Sequence, residues 1–171
     1  SPRYQYGTNL AFQWYGFDFN IFFQGIGHID WYPGREAQAF WGYYNRPYGT
    51  FIPKDFQKLC WSEDNPNAYF PRPRTAVALT ENSELSTVND RYLQNIGYCR
   101  LKNLTIGYSL PKFLTNKIGL DLVRLYFSGE NLAYWSPIKT DYVDPEQARQ
   151  GGTLKVYPWQ KSFTFGVNIN F

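Results

Sequence analysis

Few residues in this chain are able to do chemistry. His28 is the only histidine, so a histidine-built metal centre is impossible within the chain and a Ser-His-Asp triad would hang on one residue. Asp141, Asp144 and Glu146 could turn their oxygens toward a calcium ion. The glycine and ordered ligand series of a calcium loop are missing, however, and the same residues suit a turn around Pro145. Cys60 and Cys99 are the only cysteines. A disulfide and two free thiols both stay open, because spacing along a chain does not give a Cα separation. No catalytic residue, metal ligand or cofactor is expected, and the chain is not expected to be an enzyme.

What the chain has in quantity is aromatic rings. Of 171 residues 15 are Tyr, 14 Phe and 6 Trp, so aromatics make up 20% of the sequence and outnumber the charged residues at 18%. Trp31, Tyr32, Trp41, Tyr43, Tyr44, Tyr48 and Trp61 crowd one stretch. Exposed rings there could stack on sugars or pack against a partner protein. Alternatively they form a small core of their own, which a loop of roughly seventy residues needs if it is to stay ordered; that second reading is the stronger. Pro53, Asp55 and the residues to Leu59 suggest a short helix with Pro at its first position.

Composition removes several classes of function. The net charge is only +3 and the Lys and Arg residues are scattered, so there is no basic stripe to neutralise phosphates, and nucleic acid is excluded as a partner. Mean hydropathy is −0.50, and nothing approaches the run of about eighteen apolar residues that a membrane helix requires. The chain has no Met, even at position 1, which reads as the mark of a processed or excised piece.

The elements that must position these residues are strands. Over 162–171 polar or small residues alternate with apolar ones: Phe163, Phe165, Val167, Ile169 and Phe171 share one face, and Ser162, Thr164, Gly166, Asn168 and Asn170 the other. Period two is the signature of a strand with one face wet and one apolar. The pattern recurs four more times. Tyr4, Tyr6, Leu10, Phe12 and Trp14 oppose Arg3, Gln5, Gly7, Asn9 and Gln13, with Thr8 the polar intruder. Phe17, Phe19, Ile21 and Phe23 oppose Asp18, Asn20 and Gln24, and Phe22 interrupts the polar side. Leu104, Ile106, Tyr108 and Leu110 oppose Asn103, Thr105, Gly107 and Ser109. Val123, Leu125 and Phe127 oppose Arg124, Tyr126, Ser128 and Glu130.

Each segment runs to roughly ten residues, the length of a tilted strand crossing a bilayer and longer than the roughly five or six of a soluble sandwich strand. The connections are unequal: a tight turn at Tyr15 and Gly16, a long excursion over 27–97, a moderate link over 111–121 and another long one over 133–161. That alternation matches periplasmic turns and external loops. If the last strand descends, Trp14, Tyr15, Phe17 and Phe171 gather at the inner interface and Tyr134 and Trp135 at the outer, the depth amphipathic rings prefer. About eight strands are needed to close even the smallest barrel. The fold expected is therefore all-β: about five strands, the last ones of a large transmembrane antiparallel β-barrel with long extracellular loops, residues 1–171 being its C-terminal part and the plug and earlier strands lying upstream.

The residues also resemble a known family. Residues 98–111 (YCRLKNLTIGYSLP), 125–132 (LYFSGENL), 142–146 (YVDPE) and 163–171 (FTFGVNINF) occur in the order found at the C-terminal end of SusC/RagA-family TonB-dependent outer-membrane transporters. Residues 16–20 and 22–25, then 65–68 leading to Pro71 and Arg72, resemble it as well, so the similarity covers nearly the whole chain. Cys99 departs from the pattern, which more often has Leu there. The resemblance implies a barrel of about 22 strands with an N-terminal plug, a SusD-like surface lipoprotein closing the mouth, and a TonB complex reached through the N-terminal region, for which this chain offers no residue.

Taken together, the expectation is an importer of oligosaccharides or peptides in the outer membrane of a Gram-negative bacterium of the Bacteroidota, with outer-membrane lipid around it. Asp18, Asn20, Arg124, Tyr126 and Glu130 would line the lumen, and Trp31, Tyr32, Trp41, Tyr43, Tyr44 and Trp61 would meet substrate or partner. Gly166, Val167, Ile169 and Phe171 would form the C-terminal signal read during barrel assembly. The rival is a secreted all-β carbohydrate-binding module with the same aromatics as its platform; a continuous apolar sheet face, insoluble in water, would separate the two.

Overall fold

The computed structural model describes residues 4–45, 52–74, 76–149, 154, 156, 157 and 159–171; Arg3, Arg46 and Tyr48 lie outside them. Two compact units emerge. One holds the long strands, and the other comprises Ile29–Ile96 with Pro137–Tyr157.

All five strands read from the alternation are present. β1 (Gln5–Trp14) and β2 (Phe17–Ile26) form a hairpin. Its turn has φ of 45° at Tyr15 and 86° at Gly16, the double left-handed conformation whose twist matches the flanking strands. Chain order then passes through β3 (Asp30–Trp31) and β4 (Gln94–Asn95), a two-stranded ladder in the second unit. β5 (Tyr98–Ser109), β6 (Leu122–Trp135) and β7 (Ser162–Asn170) complete the large sheet. Its spatial order is β1-β2-β5-β6-β7, antiparallel throughout.

Register fixes the faces. Phe12 pairs with Phe19, Phe17 with Tyr108 and Phe127 with Phe165, and the rings of each pair meet at 4.6, 4.6 and 5.1 Å. Such cross-strand pairs are the units that stabilise a sheet. The face they build stays open: Phe12 is 52% and Phe165 79% exposed.

β5 and β6 run further than the alternation shows. Phe22 pairs with Asn103 but Phe23 with Leu101, so Lys102 is an extra residue, and the β5–β6 register shifts at the same place, beside Asn131 with its φ of 51°. A bulge reverses the parity of everything beyond it. Arg100, opposite Gln24, therefore shares the face of Asn103 rather than that of Leu104.

Among the described residues the second unit has only short elements: the two-residue ladder, helix α1 (Gln38–Trp41) and 3-10 turns at Gly42–Tyr44, Phe56–Leu59 and Ala76–Leu79. The helix expected from Pro53 is thus shorter and tighter. Pro53 precedes it, its carbonyl accepting the Phe56 N–H at 3.1 Å. In the first unit a further helix, α2 (Lys112–Thr115), opens the β5–β6 connection. Among the described residues no helix is long and apolar enough to cross a membrane.

Candidate functional site

Asp18, Asn20, Arg124, Tyr126 and Glu130 share the polar face of the large sheet, as their parity requires, with Glu130 further along it, opposite Asn103 and Ser162. Arg124 donates from Nε to Asp18 Oδ1 at 2.8 Å and from its second nitrogen to Oδ2 at 2.5 Å. The two residues belong to β2 and β6, with β5 between them. The bridge is possible because Gly107, cross-strand partner of both Asp18 and Tyr126, has no side chain: a Cβ there would collide with the guanidinium and the carboxylate. Arg124 also lies 5.4 Å over the Tyr126 ring. That ring in turn covers Gly166, which gives Gly166 a packing role on the polar face. Val167, Ile169 and Phe171 are exposed, the first two on the apolar face.

Hydroxyls and amides continue the surface. Thr105 Oγ1 lies 3.1 Å from both Ser128 Oγ and Asn103 Oδ1, and Ser162 donates to Glu130 Oε2 at 3.0 Å. Asn9, Asp18, Asn20, Phe22, Asn103, Thr105 and Arg124 line an open groove of about 500 Å³. Asn103, Thr105 and Gly107 carry no role in the sequence reading, although their parity already puts them on this face. Phe22 is the apolar patch in an otherwise hydrogen-bonding wall. Such a surface can hold a hydrated polar solute by many weak contacts.

The loop aromatics divide into two groups. Trp41 and Tyr44 are fully buried, which corrects their assignment as binding faces. Trp41 meets Phe40, Phe70 and Tyr92 edge-on at 4.9–6.3 Å, and its Nε1 donates to Gly34 O at 3.0 Å. Tyr44 donates its hydroxyl to Pro71 O, and burial drives its ionisation upward. Phe56 stacks on Phe70 at 5.2 Å. Gly42, at φ 50°, lets the chain turn against the Phe56 ring, where any Cβ would clash. A stretch with so little regular structure holds together by burying rings.

Trp31, Tyr32, Tyr43 and Trp61 are only half-buried. The Tyr32 hydroxyl sits between Leu85 O and Thr87 O, at 2.9 and 3.0 Å, and accepts from Asn89. Trp61 carries the Arg72 guanidinium 5.9 Å above its ring.

Cys60 and Cys99 are both free thiols, so the disulfide left open by the sequence is not formed. Cys60 donates to Phe56 O at 3.6 Å within the loop core, and burial pushes its thiol up. Cys99 stands in the sheet opposite Gly25 and Trp135. Asp144 makes a turn, as expected at Pro145: its Oδ1 accepts the Glu146 N–H at 2.9 Å and its carbonyl those of Gln147 and Ala148. Among the described residues no group of His, Cys, Asp and Glu is placed to hold a metal.

The fold, an antiparallel sheet of long strands with one apolar and one polar face, defines a piece of a large membrane-barrel wall. Comparison with known proteins agrees. The chain is 32% identical over 186 aligned residues, and over its whole length, to TonB-dependent receptor P3 of Formosa agariphila. It superposes over its whole length on the RagAB peptide importer in the open-open state (TM-score 0.62) and in the closed-closed state (0.64), with 23% identity in each case. The resemblance read from the sequence is borne out as similarity to a TonB-dependent receptor, and the fold is that of the matching stretch of the RagAB importer. The chain spans 16% of the receptor and 17% of the RagAB chain. No protein-family model matches it.

Proposed function

We propose that this chain is the C-terminal part of the barrel of a SusC-like, TonB-dependent importer in the outer membrane of a member of the Bacteroidota, taking up oligosaccharides or peptides with a SusD-like surface lipoprotein. One observation carries the reading. Strands of about ten residues present a continuous exposed apolar face on one side and a hydrogen-bonding groove with a bidentate ion pair on the other. That combination suits lipid outside and solvated solute inside. It counts against a secreted carbohydrate-binding module, because Leu10, Phe12, Phe165 and Val167 would face water.

The similarity to a TonB-dependent receptor supports energised uptake, and the RagAB likeness supports peptides as one substrate class. In this reading Asp18, Asn20, Arg124, Tyr126 and Glu130 line the lumen. Of the described loop aromatics assigned to binding, the half-buried Trp31, Tyr32, Tyr43 and Trp61 remain candidates for partner or substrate contact. Val167, Ile169 and Phe171 act in assembly, with Gly166 beneath Tyr126. The test is uptake by the native host of labelled oligosaccharides and peptides with and without the gene. Loss of uptake of one class, reproduced by dissipating the proton gradient, is the expected result; unchanged uptake of both, or recovery of the protein from the soluble secreted fraction, refutes the reading.

A further inference from the structure

The β5–β6 connection carries a feature that barrel closure does not demand. Its backbone is well tied: α2 packs against β6, Thr115 is buried, its N–H bonded to Pro111 O, and Gly119 at φ 72° ends the following 3-10 turn, Asn116–Ile118. Yet Phe113 and Ile118 are each 66% exposed and Leu114 is 42% exposed. The charged residues among them, Lys112 and Lys117, are both cationic and exposed; the first acid, Asp121, comes only where β6 begins.

This connection sits on the rim where the apolar sheet face ends. Ser109 donates to Gly16 O at 2.8 Å, which puts the β1–β2 turn beside the start of the connection, and the Asp121 N–H bonds to Asn170 O at its close. Phe17 and Tyr108, paired on the apolar face, mark the same edge. Apolar side chains flanked by lysines, continuous with a lipid-facing surface, have the composition of segments that lie in the headgroup layer. Lysines at that depth attract anionic headgroups.

We infer that the connection carrying Phe113, Leu114 and Ile118 is a membrane foot, its three apolar side chains seated at the headgroup–acyl boundary and Lys112 and Lys117 on the phosphates of anionic phospholipid. The inference rests on reading the sheet as a membrane wall, and the experiment separates the two. The full-length protein, in a Cys60→Ala/Cys99→Ala background, receives an environment-sensitive dye at Phe113→Cys, Ile118→Cys or, on the sheet face, Leu10→Cys. Each variant is placed in vesicles containing brominated phosphatidylglycerol or brominated phosphatidylcholine. Quenching at all three positions is expected, with phosphatidylglycerol the stronger quencher at 113 and 118 only. In Lys112→Gln/Lys117→Gln that preference should vanish, each lysine being worth roughly fivefold in local anionic lipid.

Quenching at 10 without quenching at 113 and 118 overturns the foot and leaves the membrane wall standing; absence of quenching at 10 removes the wall itself. Equal quenching by both lipids at 113 and 118 overturns the anionic preference. Should the Cys60→Ala/Cys99→Ala background fail to fold, hydrogen exchange of the 112–118 amides in the unmodified protein decides. Slower exchange in phosphatidylglycerol than in phosphatidylcholine nanodiscs, lost in the double Gln variant, supports the foot, and identical exchange refutes it.

Discussion

Asp18 and Arg124 clasp each other across an entire intervening strand, and the residue they pass over is Gly107. The carboxylate on β2 and the guanidinium on β6 thus couple three strands through side chains as well as through the backbone ladder. Both groups are about three-quarters shielded, with 24% of the arginine and 26% of the aspartate side chain exposed. Solvent at the open quarter of each side chain still screens the pair, so its geometric demand on Gly107 outweighs its Coulombic strength.

Gly107→Val should accordingly harm the barrel more than Asp18→Asn. The first forces apart groups that cannot move without leaving the sheet; the second removes a partly exposed pair worth about 1 kcal/mol or less. Urea unfolding of the refolded protein should rank them in that order, and the charge swap Asp18→Arg/Arg124→Asp should recover part of the loss seen in Arg124→Asp alone. A Val variant as stable as the wild type would show that the bridge readily lies elsewhere.

Trp41→Ala should collapse the loop core rather than only weaken a contact surface. Truncating a fully buried large aromatic costs about 3–5 kcal/mol, more than a unit built from short elements readily spares. Limited proteolysis should cut within residues 29–96 many times faster than in the wild type. Trp61→Ala, at a half-buried ring beneath Arg72, should leave that rate almost unchanged, and so is the better variant for testing partner or substrate contact.

The same core should open at high pH. Burial pushes Tyr92 from the ordinary phenol value up to about 12, and Tyr44 moves in the same direction. The folded unit holds these protons more tightly than the unfolded chain, so this contribution to stability is complete below about pH 10 and is lost as pH rises through about 12. Tyrosinate absorbance and near-ultraviolet circular dichroism should change together above about pH 10, and Tyr92→Phe should flatten the pH dependence. Ionisation of all tyrosines near pH 10 with the dichroism intact would contradict the assignment.

Thiol chemistry gives a further check. The protein should migrate identically with and without reductant, and Cys60, sealed beside Phe56 with its thiol pushed up, should resist alkylation until denaturant is added. Rapid modification of Cys60 in the native protein would mean that the loop core opens on its own.

Much of the sheet is legible in the sequence, because strands with one apolar and one polar face write their register into every second residue. Asp18 and Arg124 are assigned to one face that way, but their contact is not, since it depends on how far β2 and β6 are offset along β5. The outer ends of β5 and β6 escape for a physical reason: the bulge at Lys102 inverts the alternation, so Tyr98–Leu101 no longer continues the pattern of 103–109. Trp41 and Trp61 look alike in composition, and only packing tells the buried ring from the half-open one. Cys60 and Cys99 show the same limit, since their pairing depends on distances that the chain does not encode locally.

Ile26 and Tyr98 are cross-strand partners, so the excursion of some seventy residues departs from and rejoins the sheet at a single rung. The cost of closing a loop grows only with the logarithm of its length, and here the ladder from Phe17 to Ile26 already holds the two ends together. The sheet is consequently indifferent to what is spliced between them. A short hairpin turn, or a foreign insert with its own core, could occupy the gap without disturbing the pairing of β2 with β5. This rung is a natural graft point, at which the sequence between the strands can diversify while the wall is conserved.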